Sequence, residues 1–261
     1  MGYCMTPEGA KSTRVCAFYD QTARSLPGFR FMNYGYAPEP IRSAAELPEE
    51  GLCLELYRRV LCSTNLRGRD VLEVSCGRGG GGAFVVAEYE PASLIGIDLS
   101  EGNIEIAKAH YPGIHSLDFR VGTAEALAFP DGSFDAVLNI EASHLYEDPA
   151  RFFHEAFRVL RPGGQLFYAD LFWCDSDPIM LIVAAGFKVL ADEDITQNVV
   201  RSLDLDSARR MQLIESSVPA ELREAYRDWS GISGYRAYNR FASGEWIYRC
   251  FRLARPISRE V

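Results

Sequence analysis

Positive charge is in short supply in this 261-residue chain: 27 Lys and Arg face 36 Asp and Glu, for a formal net charge of -9. Nucleic-acid binding needs a basic footprint, so it is not expected. Long apolar runs are missing too. No segment reaches the roughly 18 residues of a membrane helix, and the opening MGYCMTPEGAKSTR lacks the apolar centre of a secretory signal. The seven cysteines are scattered, form no CxxC and show no zinc spacing with histidine. In a chain large enough to build its own core, that pattern points to free thiols in a reducing cytoplasm. Internal repeats are absent. The glycine run at 79–82 is not closed by the lysine and Ser/Thr of an NTPase P-loop. No acidic and amide set has a divalent-metal arrangement, so no metal is expected.

What is present reads as a soluble globular protein, with 48% hydrophobic, 24% charged and 12% aromatic residues. The middle of the chain alternates short apolar runs with helical text. Strands are expected at Asp70–Ser75, Ser93–Asp98, Phe119–Gly122, Ser133–Ile140 and Gln165–Leu171. Ser100 caps a helix over SEGNIEIAKAH. Asp148 and Pro149 open another, whose Phe152, Phe153, Ala156, Val159 and Leu160 share one face before Arg161-Pro-Gly-Gly stops it. Strands that alternate with helices and lack period-two patterning predict an α/β fold with a doubly wound, mostly parallel sheet. Ligands of such sheets sit beyond the carboxyl ends of the strands.

Those ends carry the chemistry. VLEVSCGRGGGG (71–82) runs from a strand into a glycine turn and a helix, where the backbone can approach a ligand and free N–H groups favour negative charge. Alone it equally fits an ordinary tight turn. Asp98 lies 21 residues beyond Gly77, where an acid can accept from both hydroxyls of a ribose and repel a 2′-phosphate. Its alternative, a helix cap, is already filled by Ser100. The two features together point to a nucleoside-bearing cofactor.

At this point EVSCGRG (73–79), LIGIDLS (94–100), VGTAEALAFPDGSFDAVLNIEASH (121–144) and VLRPGGQLFYADL (159–171) resemble the class I, Rossmann-like S-adenosylmethionine-dependent methyltransferases in order and spacing. NIEASH, FYADL and EWIYRCF are similar to the mycobacterial phthiotriolone dimycocerosate methyltransferases. FMNYGYA (31–37) is similar to a segment shared with natural-product sugar O-methyltransferases.

The resemblance implies a seven-stranded sheet with late strands at 186–195 and 245–253, the last one antiparallel. It implies a helical cap over residues 1–60, a cofactor-binding core over 61–195, a lid over 196–243 that completes the acceptor pocket, and a last strand and tail over 244–261. Glu73, Ser75, Cys76, Gly77 and Gly79 would cradle the methionine part of S-adenosylmethionine, and Asp98 the ribose. Leu99 would lie against the adenine with Asn103 nearby, Ala124 and Glu125 would flank it, and Asn139 would lie beneath the methionyl end. Ser75 replaces the family's first glycine. Thr123 stands where an aspartate usually meets the adenine amine, which puts that contact in doubt. Tyr19 or Tyr34 would reach the methionine carboxylate.

Methyl transfer is an in-line displacement that leaves S-adenosylhomocysteine, so positioning dominates. A hydroxyl acceptor must also lose a proton, a task suited to neutral imidazole. By the resemblance, His144 would be the base and Asp170 its helper; a packing histidine and a turn-capping acid are the plain alternatives. Glu141, Tyr19, Tyr36 and Trp173 would face the acceptor, although Glu141 equally suits a strand-end salt bridge and the aromatics equally suit packing. The implied activity is methylation of a hydroxyl on a small, largely apolar natural product or lipid. The alternative is C- or N-methylation of a terpenoid- or alkaloid-type metabolite, coupled to cyclisation in one version. A small-molecule acceptor is the expected partner, with a homodimer left open.

Overall fold

The computed structural model describes residues 11–26, 28–62 and 64–257. Cys4, most of the opening MGYCMTPEGAKSTR, the start of the cap and the end of the tail lie outside the described residues. The strands are β1 (Asp70–Val74), β2 (Ser93–Asp98), β3 (Leu117–Val121), β4 (Phe134–Ile140), β5 (Leu160–Trp173), β6 (Lys188–Asp194) and β7 (Trp246–Ala254). They form one seven-stranded sheet in the order β3-β2-β1-β4-β5-β7-β6. The pairs among β1 to β5 are parallel, and β7 runs antiparallel between β5 and β6. This is the doubly wound, mostly parallel sheet expected from the alternating text.

The sheet is covered on both faces, which is why β4 reads as a nearly unbroken apolar run and is buried along most of its length. One core joins α2 (Gly51–Leu61) and α3 (Gly80–Tyr89) to the sheet through Leu56, Leu61, Val85, Leu138 and Tyr248. The other joins α5 (Pro149–Val159) and α6 (Ile179–Ala184) through Phe152, Val159, Ile182, Val137 and Phe251. The helix starts follow their local signals. Ser100 Oγ accepts from Asn103 N at the start of α4 (Glu101–His110), and Asp148 accepts from Arg151 N at the start of α5.

One boundary differs. Arg161-Pro-Gly-Gly ends the helix but does not form a loop, because β5 already begins at Leu160. Gly163, at φ 85°, donates to Arg255 O, and Arg255 N donates back to Gly164 O, so pairing with the distant chain end absorbs the breaker sequence.

Three helices follow β6: α7 (Thr196–Ser217), α8 (Arg223–Trp229) and α9 (Arg236–Ala242). They pack with the N-terminal segment that follows α1 (Lys11–Ser25) through Leu26, Phe29, Ile214, Tyr226 and Ile232. Ser202 Oγ donates to Tyr34 O at 2.9 Å, and Arg210 Nη2 donates to Asn33 O at 3.1 Å. No described helix is long and apolar enough to cross a membrane.

The glycines that open α3 are there for space. A Cβ on Gly81 would stand 2.0 Å from Tyr57 Oη, and that hydroxyl is committed to Glu73 Oε1 at 2.7 Å. Gly81→Ala is therefore expected to destabilise the fold by about 1–3 kcal/mol through overpacking. A urea-unfolding comparison with wild type checks this, and equal midpoints would contradict it.

Candidate active site

The carboxyl ends of β1, β2 and β4 open into a cavity of about 980 Å³, a figure that includes its solvent-open side. Ser75, Cys76, Gly77, Asp98, Leu99, Asn103, Thr123, Ala124, Glu125, Glu141 and Tyr19 all line it. The chain turns out of β1 in left-handed conformations at Ser75 (φ 60°), Gly77 (φ 54°) and Gly79 (φ 77°). Serine in place of the family's glycine thus accepts the strained conformation that the turn requires. Ser75 Oγ and Tyr146 Oη share a hydrogen bond of 2.8 Å, and Asn139 Nδ2 donates to both Tyr146 Oη (2.6 Å) and Val74 O (3.0 Å). Asn139 therefore lies beneath the cavity and supports its floor. Gly79 also sits behind the lining, where a Cβ would meet the Phe119 ring at 2.4 Å.

Asp98 is anchored by three donors. Gly77 N reaches Oδ2 at 2.9 Å, while Ser100 N and Asn103 Nδ2 reach Oδ1 at 2.9 and 3.3 Å. Burial raises its pKa and those donors oppose the rise. A carboxylate offers roughly four acceptor sites, so one remains. Asn103 Oδ1, buried beside it, has no hydrogen-bond partner among the described residues. Two neighbouring free acceptors at the end of β2 suit the two hydroxyls of an unmodified ribose, so these residues fit a nucleoside cofactor.

A roof over the cavity comes from α1, whose Val15, Cys16 and Tyr19 face inward. Polar latches fasten it at both ends. Ser12 N and Oγ donate to Glu147 Oε1 at 2.9 and 2.8 Å, and Lys11 Nζ donates to the carbonyls of His144 and Tyr146. Asp20 accepts from Ser100 Oγ and Gly102 N at the start of α4. Sequence reasoning singled out none of Lys11, Ser12, Cys16, Asp20 or Tyr146. It also passed over Arg78, whose guanidinium turns from the glycine turn to the carbonyls of Leu26 and Phe29. Only the resemblance implied a helical cap over 1–60, and it does not say which of these residues meet the cavity.

Acids line up along this edge. Glu73 is buried beneath the turn, and burial pushes its carboxyl up to about 7 against the donors from Tyr57 and Gly82. Glu141, at φ 57°, accepts at Oε2 from Tyr34 N and from Tyr248 Oη, both at 2.9 Å. Burial pushes it up to about 8. Asp170 is wholly buried at the end of β5. Its Oδ1 accepts from His144 Nδ1 (2.7 Å) and Leu171 N (2.8 Å), and its Oδ2 from Ser143 Oγ (2.5 Å) and His144 N (3.0 Å). Burial works against the imidazolium of His144, but the Asp170 charge and hydrogen bond, with Glu141 behind them, outweigh it and raise the pKa. The His144 side chain stays 26% exposed. His144 and Asp170 stand beside the lining rather than in it, next to Ala142 and Leu145, which do line the cavity.

Three expected contacts sit elsewhere. Tyr36 packs on the main core. Trp173 lies half-exposed, edge-on to Trp246 and beneath Arg240. The ring of Tyr34 packs on Phe241 and borders a smaller recess of about 200 Å³ with Met32, Asn33 and Arg210, so only its backbone reaches toward the cavity, through Glu141. Aromatic residues in cap and lid text carry no signal for the side they face. Among the described residues, no group of three or more His, Cys, Asp or Glu could hold a metal ion.

A family model described as a methyltransferase domain matches residues 72–168. The phthiotriol/phenolphthiotriol dimycocerosates methyltransferase of Mycobacterium tuberculosis (strain ATCC 25177 / H37Ra) is 37% identical over 236 residues, covering 85% of this chain and 83% of the relative. The chain belongs to the class I, Rossmann-like S-adenosylmethionine-dependent methyltransferases. Within that family, the fatty-acid O-methyltransferase of Mycolicibacterium smegmatis (strain ATCC 700084 / mc(2)155) is 33% identical over 233 residues, covering 87% of this methyltransferase and 83% of its own length. The [4+2]-cyclase SpnF superposes with a TM-score of 0.73 at 21% identity, over 97% of this chain and 98% of its own. The geranyl diphosphate C-methyltransferase of Streptomyces coelicolor A3(2) superposes with a TM-score of 0.71 at 14% identity, over 96% and 100%. At those identities the likeness is one of fold alone.

The buried acid of β1 gives this methyltransferase a pH signature. Glu73 binds its proton more tightly when folded (about 7) than at its ordinary value of 4.5. The stability this contributes is complete below the ordinary value and lost as pH rises through about 7. Glu73→Gln cannot ionise, so its melting temperature should fall less between pH 5 and 8 than that of wild type, whatever its absolute value. Parallel slopes in thermal melts would remove Glu73 from the linkage.

Proposed function

We propose that this methyltransferase transfers the methyl group of S-adenosylmethionine to a hydroxyl of a small, largely apolar natural product or lipid, with His144 as general base and Asp170 as its support. The observation that carries this reading is the 2.7 Å contact from His144 Nδ1 to a wholly buried Asp170. That contact assigns the proton of the imidazole to Nδ1, leaves Nε2 as the basic nitrogen and stabilises the charged ring once a proton arrives. The four donors on Asp170 hold it in place for that task.

When bound, the sulfonium cofactor supplies an electrophilic methyl group. The chain has to hold the cofactor and exclude water. Asp98 and Asn103 would take the ribose hydroxyls, the turn from Ser75 to Gly79 the methionine part over Glu73 and Asn139, and Leu99, Ala124 and Glu125 the adenine, with Thr123 beside them. The cap over 1–60 and the helices over 196–243 would close the acceptor side, with Tyr19 and Glu141 facing inward. The names of relatives that act on phthiotriol and fatty-acid substrates support a lipid-like acceptor.

Two experiments test the reading. Calorimetry should show S-adenosylmethionine and S-adenosylhomocysteine binding to wild type and a loss of both in Asp98→Ala; NAD binding in their place would overturn the cofactor assignment. With an acceptor found and its methylated atom located by isotope label, His144→Ala should lower turnover by about 10²–10⁴-fold with cofactor affinity nearly unchanged. A base works in its neutral form, so the raised pKa of His144 sets the acid limb of the pH–rate profile above that of an ordinary histidine. Asp170→Asn should move that limb to lower pH while lowering the rate. Wild-type turnover in His144→Ala would end the assignment.

A further inference from the structure

Glu73 and Glu141 each keep one oxygen without a hydrogen-bond partner among the described residues, but only Glu141 lines the cavity. Its Oε2 receives both donors, Tyr34 N and Tyr248 Oη, while Oε1 has no hydrogen-bond partner among the described residues. No arginine or lysine pairs with Glu141 among the described residues, and His144 is the base whose charge bears on it. Arg30 Nε pairs with Glu50 at 2.8 Å, Lys11 Nζ serves two backbone carbonyls, and Arg78 Nη1 serves two others. Glu141 and Ser75 also share left-handed backbone at φ 57° and 60°, on neighbouring strand ends that border the same space. Backbone strain of this kind persists where surrounding structure enforces it, and it gathers at ligand sites.

We propose that Glu141 is a charge-selective cofactor contact, whose unpartnered oxygen favours the positively charged sulfonium of S-adenosylmethionine over the neutral thioether of its product. This rests on the cofactor reading above. The two ligands share adenine, ribose, amino and carboxylate groups; they differ by one methyl group and one positive charge. Contacts at Asp98 and the glycine turn are common to both and cannot tell them apart. A carboxylate with no arginine or lysine partner, half withdrawn from water, interacts with such a charge more strongly than one in bulk water. The high proton affinity of Glu141 agrees with this, since burial raises it and a neighbouring cation would favour the ionised form. The other titratable groups around it are His144, Asp170 and Tyr248.

The test is acceptor-free calorimetry with both ligands on wild type, Glu141→Gln and Tyr248→Phe, run above the value of about 8 at which Glu141 ionises. The glutamine keeps an oxygen for Tyr34 and Tyr248 but carries no charge. Its ratio of product to cofactor dissociation constants should fall on the order of tenfold, with product affinity nearly unchanged. Tyr248→Phe removes one donor from Oε2 and should lower the ratio less, which keeps the proposal testable if the glutamine variant fails to fold. An unchanged ratio, or equal weakening of both ligands, would overturn it; equal weakening would move Glu141 to the amino group that both share. Wild type binding neither ligand would instead bring down the cofactor reading itself.

Discussion

Four carboxylates along one sheet edge, three buried and Glu141 half-buried, set the terms for the rest of this structure. Glu73, Asp98, Glu141 and Asp170 come from the ends of β1, β2, β4 and β5, which are neighbours in the order β2-β1-β4-β5. Moving an acid away from water is unfavourable unless donors replace the water. Among the described residues, none of the four is paired with an arginine or lysine. Tyrosine hydroxyls, backbone N–H groups, one asparagine, one serine and His144 supply the hydrogen bonds instead. Delivering those donors requires the left-handed turns at Ser75 and Glu141, and it brings Tyr34 and Tyr248 onto a single oxygen.

The opposite edge is built the other way. There Arg161 bridges Asp70 and Asp135 at 2.9 and 2.7 Å, tying β1, the start of β4 and β5 with opposite charges in direct contact. Ion pairs at the amino edge serve the scaffold. At the carboxyl edge, Asp98 and Glu141 have no arginine or lysine partner among the described residues and line the cavity, available to a ligand with hydroxyls or positive charge, which is the character of the cofactor used by this family.

The cap is fastened unevenly, and that bears on access. The segment around Asn33 and Tyr34 is buried and bonded to α7 through Ser202 and Arg210, a contact across more than 160 residues of chain. By contrast, α1 buries only Thr22 and Ala23 and relies on polar latches at Lys11, Ser12 and Asp20. Few buried apolar contacts and exposed hydrogen bonds mark a segment that opens at low free-energy cost.

Local signals in the sequence determined the strands and their alternation with helices, the caps at Ser100 and Asp148, the glycine turn after β1 and the acid at the end of β2. Each depends on periodicity, on φ or on a hydrogen bond within a few residues, so the residues alone carry it. The motif order from Glu73 to Leu171 likewise identified the family. Tertiary structure alone decided that Arg161-Pro-Gly-Gly joins a strand, because its partner is Arg255. It decided that Tyr36 and Trp173 turn away from the cavity while Cys16 and Tyr146 turn toward it. It also decided that Asp170 sits beneath His144 with four donors and that Glu141 keeps one oxygen free. Side-chain direction, burial and proton affinity arise from contacts between segments tens to hundreds of residues apart, and no local pattern encodes them.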